Sequence, residues 1–436
     1  MKLQKTIQQA DAKTVNRPVN GYFLFLLGTF LQCAVFISPV KAIIFDRRSS
    51  PKLQTAWFVY PLAGKIPGVQ SFYGMGATIA AIGGSESDVT LIKLKGEAEH
   101  FDNDDFEIDL LMIFDVSLYT KHITLSYFRT DIRNGALPEN ERGMDSDPDN
   151  RIYLLGSTVH ASGGEISLNF LDNQFELYYA FVQSSVKPYG VVDNDGNFYA
   201  DQDSNLNKSP QGYRYGVYID DTDNRRDPRV GYRIQFERWG IPAATDEHSQ
   251  FYQDDINYTI FIPFLSDHNG VLVLNYFQSS ATVIREGTVD ASDYKCDEAI
   301  QPGCQAVFDR LYQNKLDTAT KGKATSLGGT NRLRGYPTNR FYDSQMGFYG
   351  IECRWYMLES QNAFNYIIEK GVFAGIQLAL FYEEGTVAPE FSELWDETRN
   401  SYGLGLRIIM NTTIVRADYG ISDEGSEFTF FVGYPF

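Results

Sequence analysis

QGYRYGVYID, residues 211–220, sorts its side chains by twos. Tyr213, Tyr215, Val217 and Ile219 fall on one face of an extended chain, and Arg214, Gly216, Tyr218 and Asp220 fall on the other. The split recurs in RVGYRIQFERWG (229–240), where Val230, Tyr232, Ile234 and Phe236 oppose Gly231, Arg233, Gln235 and Glu237. It recurs again in MGFYGIECRWYM (346–357), where Tyr349, Ile351, Cys353, Trp355 and Met357 oppose Phe348, Gly350, Glu352, Arg354 and Tyr356. A buried strand of a soluble protein would not keep Arg and Glu together beside Gly on one face. A wall with lipid outside and a wet lumen inside would.

From about residue 53 onward, thirteen further segments show the same period of two, from TAWFVYPLA (55–63) to EFTFFVGYPF (427–436), separated by Asp-, Asn- and Gly-rich turns. The expected fold is all-β, a transmembrane antiparallel barrel of sixteen strands over residues 53–436. Phe428, Phe430, Val432, Tyr434 and Phe436 alternate to the last residue, as outer-membrane barrels commonly end, although Pro435 can donate nothing to a ladder. A large soluble β-sandwich is the alternative that alternation by itself leaves open.

The whole chain has 436 residues and a formal net charge of −18, from 38 Lys and Arg against 56 Asp and Glu. Such an acidic chain is repelled by phosphate backbones, which argues against nucleic acid as a partner. At the start, Lys2, Lys5, Lys13 and Arg17 precede an apolar run, YFLFLLGTFLQCAVFI (22–37), and small residues stand at Val40 and Ala42. We read residues 1–42 as a secretory signal peptide and 43–52 as a short periplasmic leader, since the run is shorter than the roughly 20 residues a membrane-spanning helix needs. Cys296 and Cys304, in a polar stretch of an exported chain, are expected to form a disulfide. Cys353, alone in an alternating run, is expected to face lipid or to be packed.

The segment SLGGTNRLRGYPTNRFYDSQMGFYGIECRW (326–355) resembles the sixth extracellular loop and following strand of the BamA/TamA superfamily of outer-membrane assembly and translocation barrels, the bacterial surface antigens. The resemblance rests on Gly328, Gly329, Arg334, Gly335 and Tyr336 here. It extends to Asp221, Asp223, Pro228 and Gly231 of DDTDNRRDPRVGYRIQFE, and to Phe381, Glu383 and Gly385 of LFYEEGTV. It ends with Gly403, Gly405, Arg407, Asp418, Tyr419 and Gly420 of the closing strands.

The resemblance implies a loop folded into the barrel and locked there. Arg334 at the loop tip would pair with the acidic residue of the strand motif, which is Glu383 here in place of the family's Asp, and Glu352 is a second candidate partner. Gly335 would allow a tight backbone beside the wall, and Tyr336 would pack inside. The family's assembly and export members carry periplasmic POTRA domains, and the ten residues after position 42 leave no room for one, so the expectation is the barrel-only branch.

No constellation for an enzyme stands out: G-x-S-x-G, H-E-x-x-H and P-loop motifs are absent, and five histidines are scattered. A Ser/His/acid site in the wall is left open by spacing. The acidic loops at 144–150 and 193–203 lack the full calcium-loop pattern, so no metal or other cofactor is expected.

The expected setting is the outer membrane of a Gram-negative-type cell. The expected partners are outer-membrane lipid and lipopolysaccharide, a client barrel or secreted protein, and a separate periplasmic protein. The expected role is membrane-protein insertion, protein secretion or lipid handling, with a passive pore or a surface antigen or adhesin as the alternative.

Overall fold

The computed structural model describes residues 55–436 except 67–69, 86, 99–105, 119–121, 172, 201–205, 207–210, 243–248, 266–267, 361–363, 367–368, 373 and 411–412. The expected signal peptide (1–42) and leader (43–52) lie outside the described residues. In chain order the elements are β1 (Ala56–Ile66), β2 (Gln70–Ala80), β3 (Asp88–Ala98), β4 (Phe106–Ser117), β5 (Ile123–Glu139), β6 (Ile152–Phe170) and β7 (Phe175–Asp193). Then come β8 (Phe198–Ala200), β9 (Gln211–Thr222), β10 (Gly231–Ile241), β11 (Gln250–Pro263), β12 (Gly270–Arg285) and a helix, α1 (Cys304–Lys321). The last are β13 (Gln345–Glu359), β14 (Phe364–Tyr366), β15 (Glu369–Val372), β16 (Ala374–Ala388), β17 (Arg399–Met410), β18 (Thr413–Ser422) and β19 (Gly425–Val432).

Among the described residues sixteen strands are eight residues or longer, and each pairs antiparallel with the next long strand in sequence. β8 extends the edge of β7, and β14 and β15 form a small hairpin between β13 and β16. No helix among the described residues is long and apolar enough to cross a membrane. The crossing is made by strands, where every backbone group can pair laterally.

Period two does here what the sequence pattern implied. On β6, Ile166, Leu168 and Phe170 point outward and are exposed, while Ser167 and Asn169 between them are buried. On β13, Glu352 and Arg354 are wholly buried in the lumen. Cys353 points the other way and is packed, with Phe264 and Leu272, under a turn.

Three departures are informative. First, β5, β6 and β7 run well past the alternating segments, to Glu139, from Ile152 and to Asp193. There, Ile152, Tyr153, Leu154, Leu155, Val191 and Val192 are all buried, so both faces are apolar and the period of two disappears. One face of this extension is covered by α1, whose Val307, Phe308 and Leu311 recur at helical spacing and pack on Ile152, Leu154 and Val191. Second, the lumen side of the first strands is greasy: Phe58, Tyr60, Leu62, Ile92 and Leu94 form one buried cluster.

Third, the final alternation does not continue as strand to Phe436. β19 stops at Val432, Gly433 turns with φ +99°, and its N–H donates to the Ile414 carbonyl at 2.7 Å. Tyr434 and Phe436 turn into the lumen, where the Tyr434 hydroxyl donates to Asp227 at 2.8 Å and Phe436 packs against Phe348. Left-handed Gly433 and a proline without an N–H end the ladder that the phenylalanines would otherwise have continued.

Candidate functional site

The connection between β12 and β13, residues 286–344, folds back into the barrel, and its turn geometry is set by two glycines. Gly328 and Gly329 have φ of +96° and +108°, a region that side chains disfavour. Leu327 and Phe341 bridge across this turn, and Tyr336 packs edge-on against Phe341 with the ring centres 5.1 Å apart. The tip then meets the wall backbone to backbone. A Cβ on Gly335 would sit 2.7 Å from the Ile421 carbonyl carbon, and one on Gly420 would sit 2.6 Å from the carbonyl carbon of Arg334.

At that contact Arg334 is completely buried. Its Nε donates to Glu383 Oε1 at 2.7 Å, its Nη1 to Asp418 Oδ2 at 2.8 Å and its Nη2 to Glu352 Oε2 at 3.0 Å. Its guanidinium also lies over the Phe381 ring, 3.6 Å from the centroid. Ser401 donates to Glu383 at 2.9 Å. Three further arginines close the cluster: Arg354 on Glu352 at 2.7 Å, Arg407 on Glu352 at 2.9 Å, and Arg416 on Asp418 at 2.8 Å. Four guanidinium groups thus face three carboxylates, all fully buried, which balances charge to within one unit. Ion pairs shielded from water in this way are held far more firmly than surface pairs, because losing one partner strands the other's charge.

The structure brings together Arg334, Glu383 and Glu352, both acidic candidates acting on the one arginine. Asp418, Arg407, Arg416, Arg354 and Ser401 join them, beyond the residues expected from the sequence. Asp418 and Arg407 were visible only as part of the closing-strand pattern, and nothing in their local spacing points across the barrel to position 334.

Around this centre the loop is tied at other points. Tyr336 donates to Asp423, Arg340 Nε bonds Glu424 at 2.8 Å and Arg340 Nη1 bonds the Ser146 hydroxyl at 2.7 Å. From the β5–β6 connection, Arg142 reaches Asp343 at 2.6 Å and the Gly322 carbonyl at 2.9 Å. Farther from the membrane, Cys296 and Cys304 form the disulfide at the start of α1.

His160 is bonded to Asp131 on the outer wall, and Ser162, on the same face, accepts from Gln183 at 3.4 Å. Among the described residues no cluster of three or more His, Cys, Asp or Glu could hold a metal.

The other feature of the barrel is its seam. A Cβ on Gly64 of β1 would lie 2.3 Å from Phe430 Cβ of β19, so the first and last strands touch. Yet among the described residues no backbone register joins them, while β1 is laddered to β2 over eleven residue pairs and β19 to β18 over eight. Phe430 packs against the cluster made by Phe58, Tyr60 and Leu62, the inner face of β1, so the two edges overlap instead of meeting edge to edge. Near the other end of β1, Trp57 pairs with Lys370 of β15.

No protein-family model matches this chain, and no curated protein does. Among solved structures it is similar to BamA from Haemophilus ducreyi lacking POTRA domains 1–3, with 12% identity, a TM-score of 0.45, and coverage of 94% of this chain and 77% of that one. It is also similar to CdiB from Acinetobacter baumannii (11% identity, TM-score 0.48, coverage 88% and 60%) and to CdiB from Escherichia coli (9% identity, TM-score 0.49, coverage 88% and 62%). The chain spans about three-fifths of the length of each CdiB chain.

Proposed function

We propose that this barrel moves other molecules into or across the outer membrane, inserting membrane proteins, secreting protein or handling lipid, by opening between β1 and β19. The supporting observation is the overlapped seam, in contact at Gly64 and Phe430 and without a shared register among the described residues. Hydrocarbon offers no hydrogen bonds, so an edge left unpaired there is costly, and it is also the template on which an incoming strand can pair. The Arg334 cluster acts as the lock that keeps the loop seated and the rest of the wall rigid while the seam moves.

The test joins Gly64→Cys to Phe430→Cys and reads folded outer-membrane barrels and exported proteins after depletion of the native chain. The oxidised pair is expected to fail to restore the lost clients and the reduced pair to restore them, while a control lock between Val59→Cys and Ala77→Cys, which face each other on β1 and β2, has no effect. Full rescue by the oxidised seam sinks the proposal.

A second reading has one observation behind it: the fully buried ion cluster fills the lumen at the depth of the loop tip. A plugged pore or surface antigen predicts that Arg334→Ala raises ion conductance in planar bilayers and that depletion leaves other barrels intact.

A further inference from the structure

The outer wall of β3 to β7 carries a block of charge that plays no part in the lumen cluster. The strand registers stack it in two rows. Lys93, Asp109, Asp131 and His160 lie side by side from β3 to β6. In the next row, nearer the end of the barrel that bears the long β12–β13 connection, are Lys95, Glu107, Arg133, Thr158 and, on β7, Lys187. Arg129 sits just below on β5, its Nε 3.0 Å from Asp131. Lys93 pairs with Asp109 at 3.1 Å and Lys95 with Glu107 at 2.8 Å, while Arg133 reaches Glu107 and stands 3.6 Å from Asp109.

In these pairs four cations, Lys93, Lys95, Arg129 and Arg133, face three carboxylates, Asp109, Glu107 and Asp131, one positive charge more, on a chain whose net charge is −18. The heads stay accessible: the side chains of Lys93, Arg129 and Arg133 are 63%, 59% and 55% exposed. Exposed pairs of this kind hold their partners weakly and leave the cations open to another anion.

Depth indicates which anion. Below the rows the wall is apolar, with Val116 on β4 and Ile166, Leu168 and Phe170 on β6 all exposed. Each strand residue climbs about 2.5 Å at the usual barrel tilt. His160 is ten residues up from Phe170, so the lower row stands about 25 Å above the lower apolar edge, and the upper row, two residues on, about 30 Å. That is the upper rim of an apolar band about 25 Å tall, where headgroups lie.

A groove of about 400 Å³ joins the two environments. Val59, Met75, Leu91 and Leu111 line its apolar part, and Lys93 and Arg129 stand at its charged end with their partners Asp109 and Asp131. A second groove, of about 340 Å³, with Tyr127, His160, Ser162 and Gln183, meets it at Arg129 and Asp131. An acyl chain fits the apolar part, and a phosphate is the anion that reaches guanidinium and ammonium groups from the lipid side.

We infer that this sector is a docking site for an outer-leaflet lipid whose phosphate headgroup carries a net negative charge, its acyl chain along Leu91 and Leu111 and its phosphate among Lys93, Arg129 and Arg133. The site depends on the barrel fold alone and stands or falls separately from the seam.

The test uses the full barrel in nanodiscs of phosphatidylcholine doped with phosphatidic acid, counting retained lipid by native mass spectrometry. The native chain is expected to retain phosphatidic acid, and a Lys93→Gln, Arg129→Gln, Arg133→Gln triple variant to retain at least about tenfold less, with phosphatidylcholine unchanged. Each single substitution is read as well, so the result stands even if the triple variant does not fold. Arg238→Gln, whose partner Asp254 is 2.5 Å away elsewhere on the wall, is the control expected to have no effect. Equal retention by native and triple variant overturns the inference, as does an equal loss in Arg238→Gln. Displacement of the retained lipid by inorganic phosphate assigns the site to free phosphate and overturns the lipid.

Discussion

Arg334 holds Glu383 by two different groups: its backbone N–H donates to Oε2 and its side-chain Nε to Oε1, each at 2.7 Å. A carboxylate that receives both the main chain and the side chain of one residue fixes where the loop tip is and how its arginine is aimed. Arg334 is then left with Nη1 and Nη2 for Asp418 and Glu352, so one residue ties the loop to β16, β18 and β13.

Glu383→Gln removes one charge from a cluster that is already one cation in excess, and the amide cannot accept from both donors on equal terms. The expected cost is about 3–5 kcal/mol, as for other broken buried pairs. It is read as a lower temperature for loss of the folded band in heat-modifiable gel mobility. Glu383→Asp, which keeps the charge, is expected to lose only part of this. A Glu383→Gln barrel as heat-resistant as the native one would show that the cluster does not hold the loop.

Gly420→Ala probes the backbone contact. Its new Cβ would lie 2.6 Å from the Arg334 carbonyl carbon, with no flexible side chain there to yield. Overpacking of this kind costs about 1–3 kcal/mol. The expected result is a loop displaced from the wall and cut faster by trypsin than in the native barrel. Unchanged cleavage kinetics would mean that the wall, not the loop, gives way.

Cys296→Ser opens a closed loop of only nine residues, which is worth about 2–3 kcal/mol. The loss is expected to stay local, with faster proteolysis at Lys295 ahead of α1. The heat-modifiable transition is expected to be unmoved, because the Arg334 cluster is separate from the disulfide. A drop in that transition would couple the cap to the barrel.

Tyr434→Phe takes a donor from Asp227 and the acceptor of Gln377 Nε2, which bonds the phenol at 3.1 Å. Asp227 keeps the Tyr356 hydroxyl, so the expected loss is small, about 1 kcal/mol, measured by chemical unfolding in detergent.

Alternation made the wall legible. QGYRYGVYID, RVGYRIQFERWG and MGFYGIECRWYM became β9, β10 and β13 with the faces that their polarity implied, because lipid on one side and a polar lumen on the other impose opposite demands on successive residues. Where both faces meet protein the signal fails. At the upper ends of β6 and β7, Ile152 to Leu155 and Val191 to Val192 are buried and apolar on both faces, and the helix α1 that covers them was not anticipated from the sequence.

The lock divides in the same way. Arg334, Gly335 and Tyr336 are legible as a loop tip, and Glu383 as its partner, through the family resemblance, and Glu352 through its lumen-facing place on β13. The meeting of Arg334 with Asp418, 84 residues away in sequence, is set by barrel closure, which brings β18 round to the loop. The overlap of Phe430 with the inner face of β1, the turn of Tyr434 and Phe436 into the lumen, and the gathering of Lys93, Arg129 and Arg133 on one stretch of wall follow from register and curvature. Period two specifies the face on which a side chain lies. Only the rolled sheet specifies its neighbours, because these come from strands far apart in the chain whose offset no local pattern encodes.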